Sequence, residues 1–222
     1  MNNSQKRKIW DGFVRFYHWL QVLLLGGLWW SAEQARMELH MAMGLCLLSL
    51  ILARIVWGFI GSSNAQFRHF IAHPKQAWQE FKLELKGKPA ATAGHSALGA
   101  YMVIALISVL LLQLGSGLFI SDDLFSEGPL YHTVSEQTSL WLKDLHHSNF
   151  NLLLGLVALH VAAIGWFTLK KRQLIRAMLS GYRHSPHSPA KLRNGFIGFV
   201  VFMLMLGTMT QLFGDYFVLD GL

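Results

Sequence analysis

The sequence predicts an all-α integral membrane helical bundle, and three observations carry that prediction. Of 222 residues, 53% are hydrophobic and 14% charged, more apolar surface than a soluble domain of this length buries. Five apolar stretches, roughly 13–32, 39–60, 97–120, 145–169 and 195–214, reach the ~20 residues that a helix needs to cross a hydrocarbon core ~30 Å thick. Charge alternates along the chain: sixteen of nineteen basic residues fall in 6–15, 68–88 and 170–193. Arg54 lies within the second span, and the loop segments on the other side hold only Arg36 and Lys143 but carry Glu33, Glu38, Asp122, Asp123, Glu127, Glu136, Asp144, Asp215 and Asp220. The positive-inside rule then predicts a cytoplasmic N-terminus and a periplasmic C-terminus. The net charge of +7 is thereby a topology signal, which argues against nucleic-acid binding.

Taken in order, the polar start Met1–Lys8 leads into an apolar run with no small-residue cleavage site, so the first span is expected to be retained and not a signal peptide. It carries His18. The second span opens on His40, with Gly44 one turn on and Arg54 fourteen residues below. Between spans two and three, Phe67, Phe70, Ile71, Trp78, Phe81 and Leu85 recur at helical spacing among Lys and Glu, which predicts an amphipathic helix at the interface. His69 and His73 there, like His184 and His187 before the last span, read as solvated loop histidines. Ser121 to Asp144 is acidic with a Gly128-Pro129 turn, predicting a structured cap. Its acidity reads either as a steering field for a basic partner or as the topology rule alone. The fourth span has a histidine at each end, and the fifth runs from Gly195 to Gly214. The expected organisation is one domain over 1–222, with a four-helix core at about 10–175 and an additional transmembrane helix at about 195–214. Cys46 is the sole cysteine, so there is no disulfide framework and no C-x-x-C-H attachment motif.

The chemistry rests on histidines. Fourteen residues separate His146 from His160, which places them ~21 Å apart and within ~40° of one helix face. His147 is rotated ~220° from His160 and points nearly the opposite way. Imidazoles in hydrocarbon are unfavourable unless paired, hydrogen-bonded or bound to a metal. A single one reads as a core residue, but His40 is level with His146, and His18 is level with His160. Four histidines at two matched depths point to two irons in non-covalently held haems, His40 with His146 on the outer side and His18 with His160 on the inner. Bis-histidine iron leaves no open position, which favours electron transfer over oxygen chemistry. Gly44 offers bare backbone to a flat macrocycle or, equally, to a neighbouring helix. Arg54 lies at the inner level, where it meets a haem propionate or snorkels to the headgroups. Asp and Glu are absent from the depth of the spans, against a proton-relaying transporter or channel.

The residues Trp10-Asp11-x-x-Val14-Arg15-x-x-His18-Trp19, His40-x-x-x-Gly44 with Arg54 and Trp57-Gly58, and Gly94-His95-Ser96-Ala97-Leu98-Gly99 form a pattern. It continues through Gly117-Leu118-Phe119, Asp122-Asp123, Glu127-Gly128-Pro129-Leu130 and a fourth-helix His, Asn, His series. Over nearly its whole length the chain resembles bacterial dihaem b-type cytochromes of the cytochrome b561 family, related to the cytochrome b subunits of nickel-iron hydrogenases. In that family Glu usually follows the first fourth-helix His; here His147 stands there, and Asn151 keeps the register of His146. The resemblance implies a four-helix dihaem core, with two haems b ligated from helices one, two and four. It also implies electron transfer between membrane quinone and a periplasmic partner such as a c-type cytochrome. The alternative is the membrane-anchor subunit of a hydrogenase or other periplasmic oxidoreductase. His95 is assigned by the same resemblance to a propionate or quinone contact, against an interfacial His that caps a helix. Quinone contacts fall to Arg15, Trp19 and His95 inside or to Trp141 and Tyr131 outside. The implied protein is an electron carrier or quinol/quinone oxidoreductase of the bacterial inner membrane, with a homodimer left open. The fifth span departs from the smallest members, and either packs on the core or meets a partner.

Overall fold

The computed structural model describes residues 5–71, 73–85, 94–122, 126–185 and 191–218. Expectations resting on Lys86, Lys88, Asp123, His187 and Asp220 lie outside the described residues. The elements are β1 (Gln5–Lys8), α1 (Gly12–Glu33), α2 (Met37–Ile60), α3 (Phe67–Phe70), α4 (Pro74–Leu85), α5 (Ala97–Gly117), α6 (Glu136–Leu169), α7 (Leu174–Ser180), β2 (Tyr182–Ser185) and α8 (Phe196–Leu212). Each apolar stretch is helical. Among the described residues α2, α5 and α6 are long and apolar enough to cross a membrane, whereas α8 is apolar but shorter. Arg15, His18 and Gln21 dilute the apolarity of α1.

Local side chains set where the helices begin. Asp11 caps α1 by accepting the Val14 N–H at 2.9 Å, and Asn194 caps α8 by accepting that of Phe196 at 3.0 Å. The fourth long helix starts at Glu136, about nine residues before the expected 145. Ser135 explains the difference: its hydroxyl accepts the Thr138 N–H at 3.2 Å and meets the Thr138 hydroxyl at 2.9 Å, with Glu136 favourably placed in the first turn. The cap segment is therefore short, consisting of a bridge between Ser121 and Glu127 and a 3₁₀ turn at Tyr131–Thr133.

The chain packs as two compact units. The first comprises Met1–Phe16, Arg54–Leu106 and Leu156–Phe199. In it β1 and β2 pair antiparallel, from Gln5 opposite Ser185 to Lys8 opposite Tyr182, and the Ile9 N–H extends the pairing to the Gly181 carbonyl at 2.7 Å. Gly181 ends α7 at φ +85°, a conformation that favours glycine. Asp11 is buried and also accepts the Trp57 indole N–H at 3.2 Å, so one carboxylate starts α1 and holds α2. The expected amphipathic helix is divided: Phe67 and Phe70 fall in α3, Ile71 is extended, and Trp78, Phe81 and Leu85 fall in α4, which restarts at Pro74. Glu80 of α4 accepts the Ala97 N–H at 3.0 Å, helping to start α5. The first turn of α8 lies on the start of α1: Phe199 meets the Phe13 ring at 5.9 Å and the Phe16 ring at 4.8 Å. A side chain at Gly198 would overlap Phe13.

The second unit comprises Tyr17–Ala53, Ile107–Gly155 and Val200–Leu222. Leu45, Leu47, Leu50, Ile51, Leu110, Leu114, Leu153 and Phe202 are buried there. So are Ser31, Ser49, Gln113, Ser116 and Asn149. Lipid tails are as apolar as leucine, so close packing and interhelical hydrogen bonds, more than water exclusion, join helices in a bilayer. Asn149 of α6 does this by donating to the Val109 carbonyl at 3.0 Å and to Gln113 Oε1 at 2.7 Å, both on α5.

Candidate histidine-ligand site

Within the second unit His40 and His146 are wired alike. His40 Nδ1 is 2.9 Å from the Leu28 carbonyl of α1 and 3.3 Å from Ser31 Oγ. His146 Nδ1 is 2.9 Å from the Gln113 carbonyl of α5 and 3.2 Å from Ser116 Oγ. In both cases the carbonyl and the hydroxyl are three residues apart on the facing helix, and the hydroxyl donates into its own helix. A carbonyl oxygen only accepts, so each ring carries its proton on Nδ1 and leaves the Nε2 lone pair available. That is the tautomer of an imidazole that ligates a metal through Nε2.

Gly117 lets α5 approach: a Cβ there would lie 3.2 Å from His146 Cε1. A Cβ at Gly44 would meet only Leu28, at 4.0 Å, so the backbone beside His40 is open. His147 is exposed, as its helix phase predicts, and is the neighbouring ring at 6.2 Å from His146. Asn151 is exposed as well; the buried amide of this stretch is Asn149. Among the described residues no group of three His, Cys, Asp or Glu is placed to hold a bare metal ion. Two imidazoles with free Nε2 atoms and open backbone at Gly44 instead fit the axial pair of an iron already held in a macrocycle.

In the first unit Arg54 is buried and donates from Nη2 to the Ala65 carbonyl at 3.2 Å, with its guanidinium 5.3 Å from the Phe67 ring centroid. It does not reach solvent. His95 tilts against Trp10 at 4.7 Å and lies within electrostatic reach of Arg54 and His160. Burial first, then the Arg54 charge and His160, push the His95 imidazole down to about 3. The cap of α5 is the next residue, Ser96, whose hydroxyl accepts the Gly99 N–H at 3.2 Å. Arg15 is engaged by the Leu179 carbonyl at 2.8 Å. His160 is half-buried on α6 in this unit, while His18 is half-buried on α1 in the second, edge-on to Trp19 at 5.0 Å. Of the residues expected on the outer side, Trp141 is exposed and Tyr131 sits in the 3₁₀ turn.

Sequence reasoning missed Ser31, Gln113, Ser116 and Asn149. Small and polar residues are common in membrane helices, so the only signal was serine three residues beyond a carbonyl that faces a histidine, and that facing is tertiary. Residues 9–181 match the family model described as prokaryotic cytochrome b561. No curated protein matches the chain.

Proposed function

The chain belongs to the prokaryotic cytochrome b561 family, and on that footing we propose that it holds two haems b and carries electrons between membrane quinone and a periplasmic redox partner. Family membership makes it a transmembrane b-type cytochrome of the inner membrane, acting in electron transfer. The observation that carries the finer reading is the matched Nδ1 wiring of His40 and His146. These two would hold the outer haem, and the spacing of His18 and His160 in the sequence supports their role as ligands of the inner one. Gly44 leaves room beside His40 and Gly117 seats the His146 ring. Haem b, when bound, would supply a one-electron ferric/ferrous couple. Arg54 offers a buried cation to a propionate, and neutral His95 offers a hydrogen-bonding group to a propionate or a quinone. The acidic outer residues Asp122, Glu127 and Glu136 favour a basic partner such as a c-type cytochrome.

The test is haem content and reactivity of the detergent-purified protein. A pyridine haemochrome assay should give two haems b per chain, His146→Ala should lose one, and His147→Ala should keep both. One haem in the unaltered protein, or equal loss in both variants, overturns the ligand set. In stopped-flow mixing a quinol analogue should reduce the protein, and a basic periplasmic cytochrome should reoxidise it more slowly at 1 M than at 0.1 M salt. Inertness toward quinol removes the quinone half. Reoxidation indifferent to salt removes the docking half and favours an anchor subunit of a larger oxidoreductase.

A further inference from the structure

We propose that Ser31 and Ser116 are positioning residues that set the donor strength of His40 and His146. The proposal rests on the reading of those histidines as axial ligands. Both serines are buried, and each contacts the same ring atom of its histidine, the Nδ1 that faces away from the available lone pair.

The hydrogen-bond roles follow from inventory. Ser31 Oγ donates to the Leu28 carbonyl at 3.0 Å. Its single proton is used there, so toward His40 the hydroxyl oxygen accepts, and the Nδ1–H of His40 is shared between the carbonyl and Ser31. Ser116 repeats the arrangement. Its hydroxyl has the Leu112 carbonyl at 2.8 Å and the Gln113 carbonyl at 3.0 Å as acceptors, and Nδ1–H of His146 is shared between Gln113 and Ser116. Two acceptors on one N–H draw the proton outward and increase the anionic character of the ring. A more anionic imidazole is a stronger donor at Nε2 and stabilises ferric over ferrous iron. Two acceptors also hold the ring plane more firmly than one, because they fix both the direction and the roll of the imidazole.

Ser49 provides an internal comparison. It is equally buried and donates to the Leu45 carbonyl at 2.8 Å, the ordinary back-bond of a membrane-helix serine, and hydrogen-bonds to no histidine among the described residues. If the hydroxyls of Ser31 and Ser116 merely satisfied their own helices, all three serines would be equivalent.

The experiment is a redox titration with low-temperature EPR on the purified holoprotein and on Ser31→Ala, Ser116→Ala, Ser49→Ala and the two Thr variants at positions 31 and 116. Ser31→Ala and Ser116→Ala should raise the midpoint of one haem and shift one of two low-spin ferric signals, leaving the other haem unchanged. Thr should restore both, because it returns the hydroxyl, and Ser49→Ala should change neither. Loss of one haem in an Ala variant with its return in the Thr variant also supports the proposal. Unchanged midpoints and signals at full haem content overturn it, as does a change that moves both haems together and is not restored by Thr. Retention of two haems in both His40→Ala and His146→Ala would instead strike the ligand reading itself.

Discussion

His95 shows what burial does to one titratable ring. It lies tilted against Trp10 just before α5, and its imidazole is pushed down to about 3 from an ordinary 6.5. The unfolded chain therefore takes up a proton near pH 6.5, whereas the folded chain resists it until about 3. Stability should be full above pH 6.5 and fall steadily as the pH drops from there toward 3. Thermal unfolding in detergent between pH 7 and pH 4 should show this decline, with a shallower slope in His95→Phe; parallel slopes would reject His95 as the cause. The sequence marked His95 through its family motif, and it marked His40 and His146 through helical arithmetic alone. It could not mark Ser31 or Ser116, because a serine becomes informative only when a facing helix brings an imidazole to it.

Helices were legible to the extent that apolarity defines them. The core of each long helix was readable from hydropathy, and α4 from its amphipathic spacing. The start of α6 was not, because the nine residues preceding the apolar run, six of them polar or charged, hid a helix that only the Ser135 cap and Glu136 announced. For α8 the sequence offered two fates, packing on the core or meeting a partner, and the contacts of its first turn with Phe13 and Phe16 favour packing. Gly198→Ala forces a methyl into the Phe13 ring. The expected outcome is a loss of about 1–3 kcal/mol, the usual range for overpacking, read as a lower thermal midpoint in detergent. Gly207→Ala, in open surroundings on the same helix, should be neutral or slightly stabilising. Equal midpoints for the two variants would mean that the α8 contact does not contribute to stability.

Across the molecule, the basic asymmetry that predicts orientation leads to a direct measurement. A reporter active only in the periplasm should work when fused after Leu222 and be silent when fused near Lys86; the opposite result inverts the orientation. Helix α6, with 34 residues, is ~51 Å long and exceeds a ~30 Å hydrocarbon core, so it must tilt or stand proud of the bilayer. The wiring of His40 and His146 has a consequence for biogenesis. His40 takes its orienting partners from α1, the helix inserted just before its own, and His146 takes its partners from α5, again the helix just before. Each ring is thus committed to one tautomer by contacts internal to its own helix pair. A nascent chain leaving the insertion machinery can finish orienting the first imidazole before the second has been synthesised. On the proposed reading, cofactor capture is the meeting of two finished halves, with no proton left to rearrange.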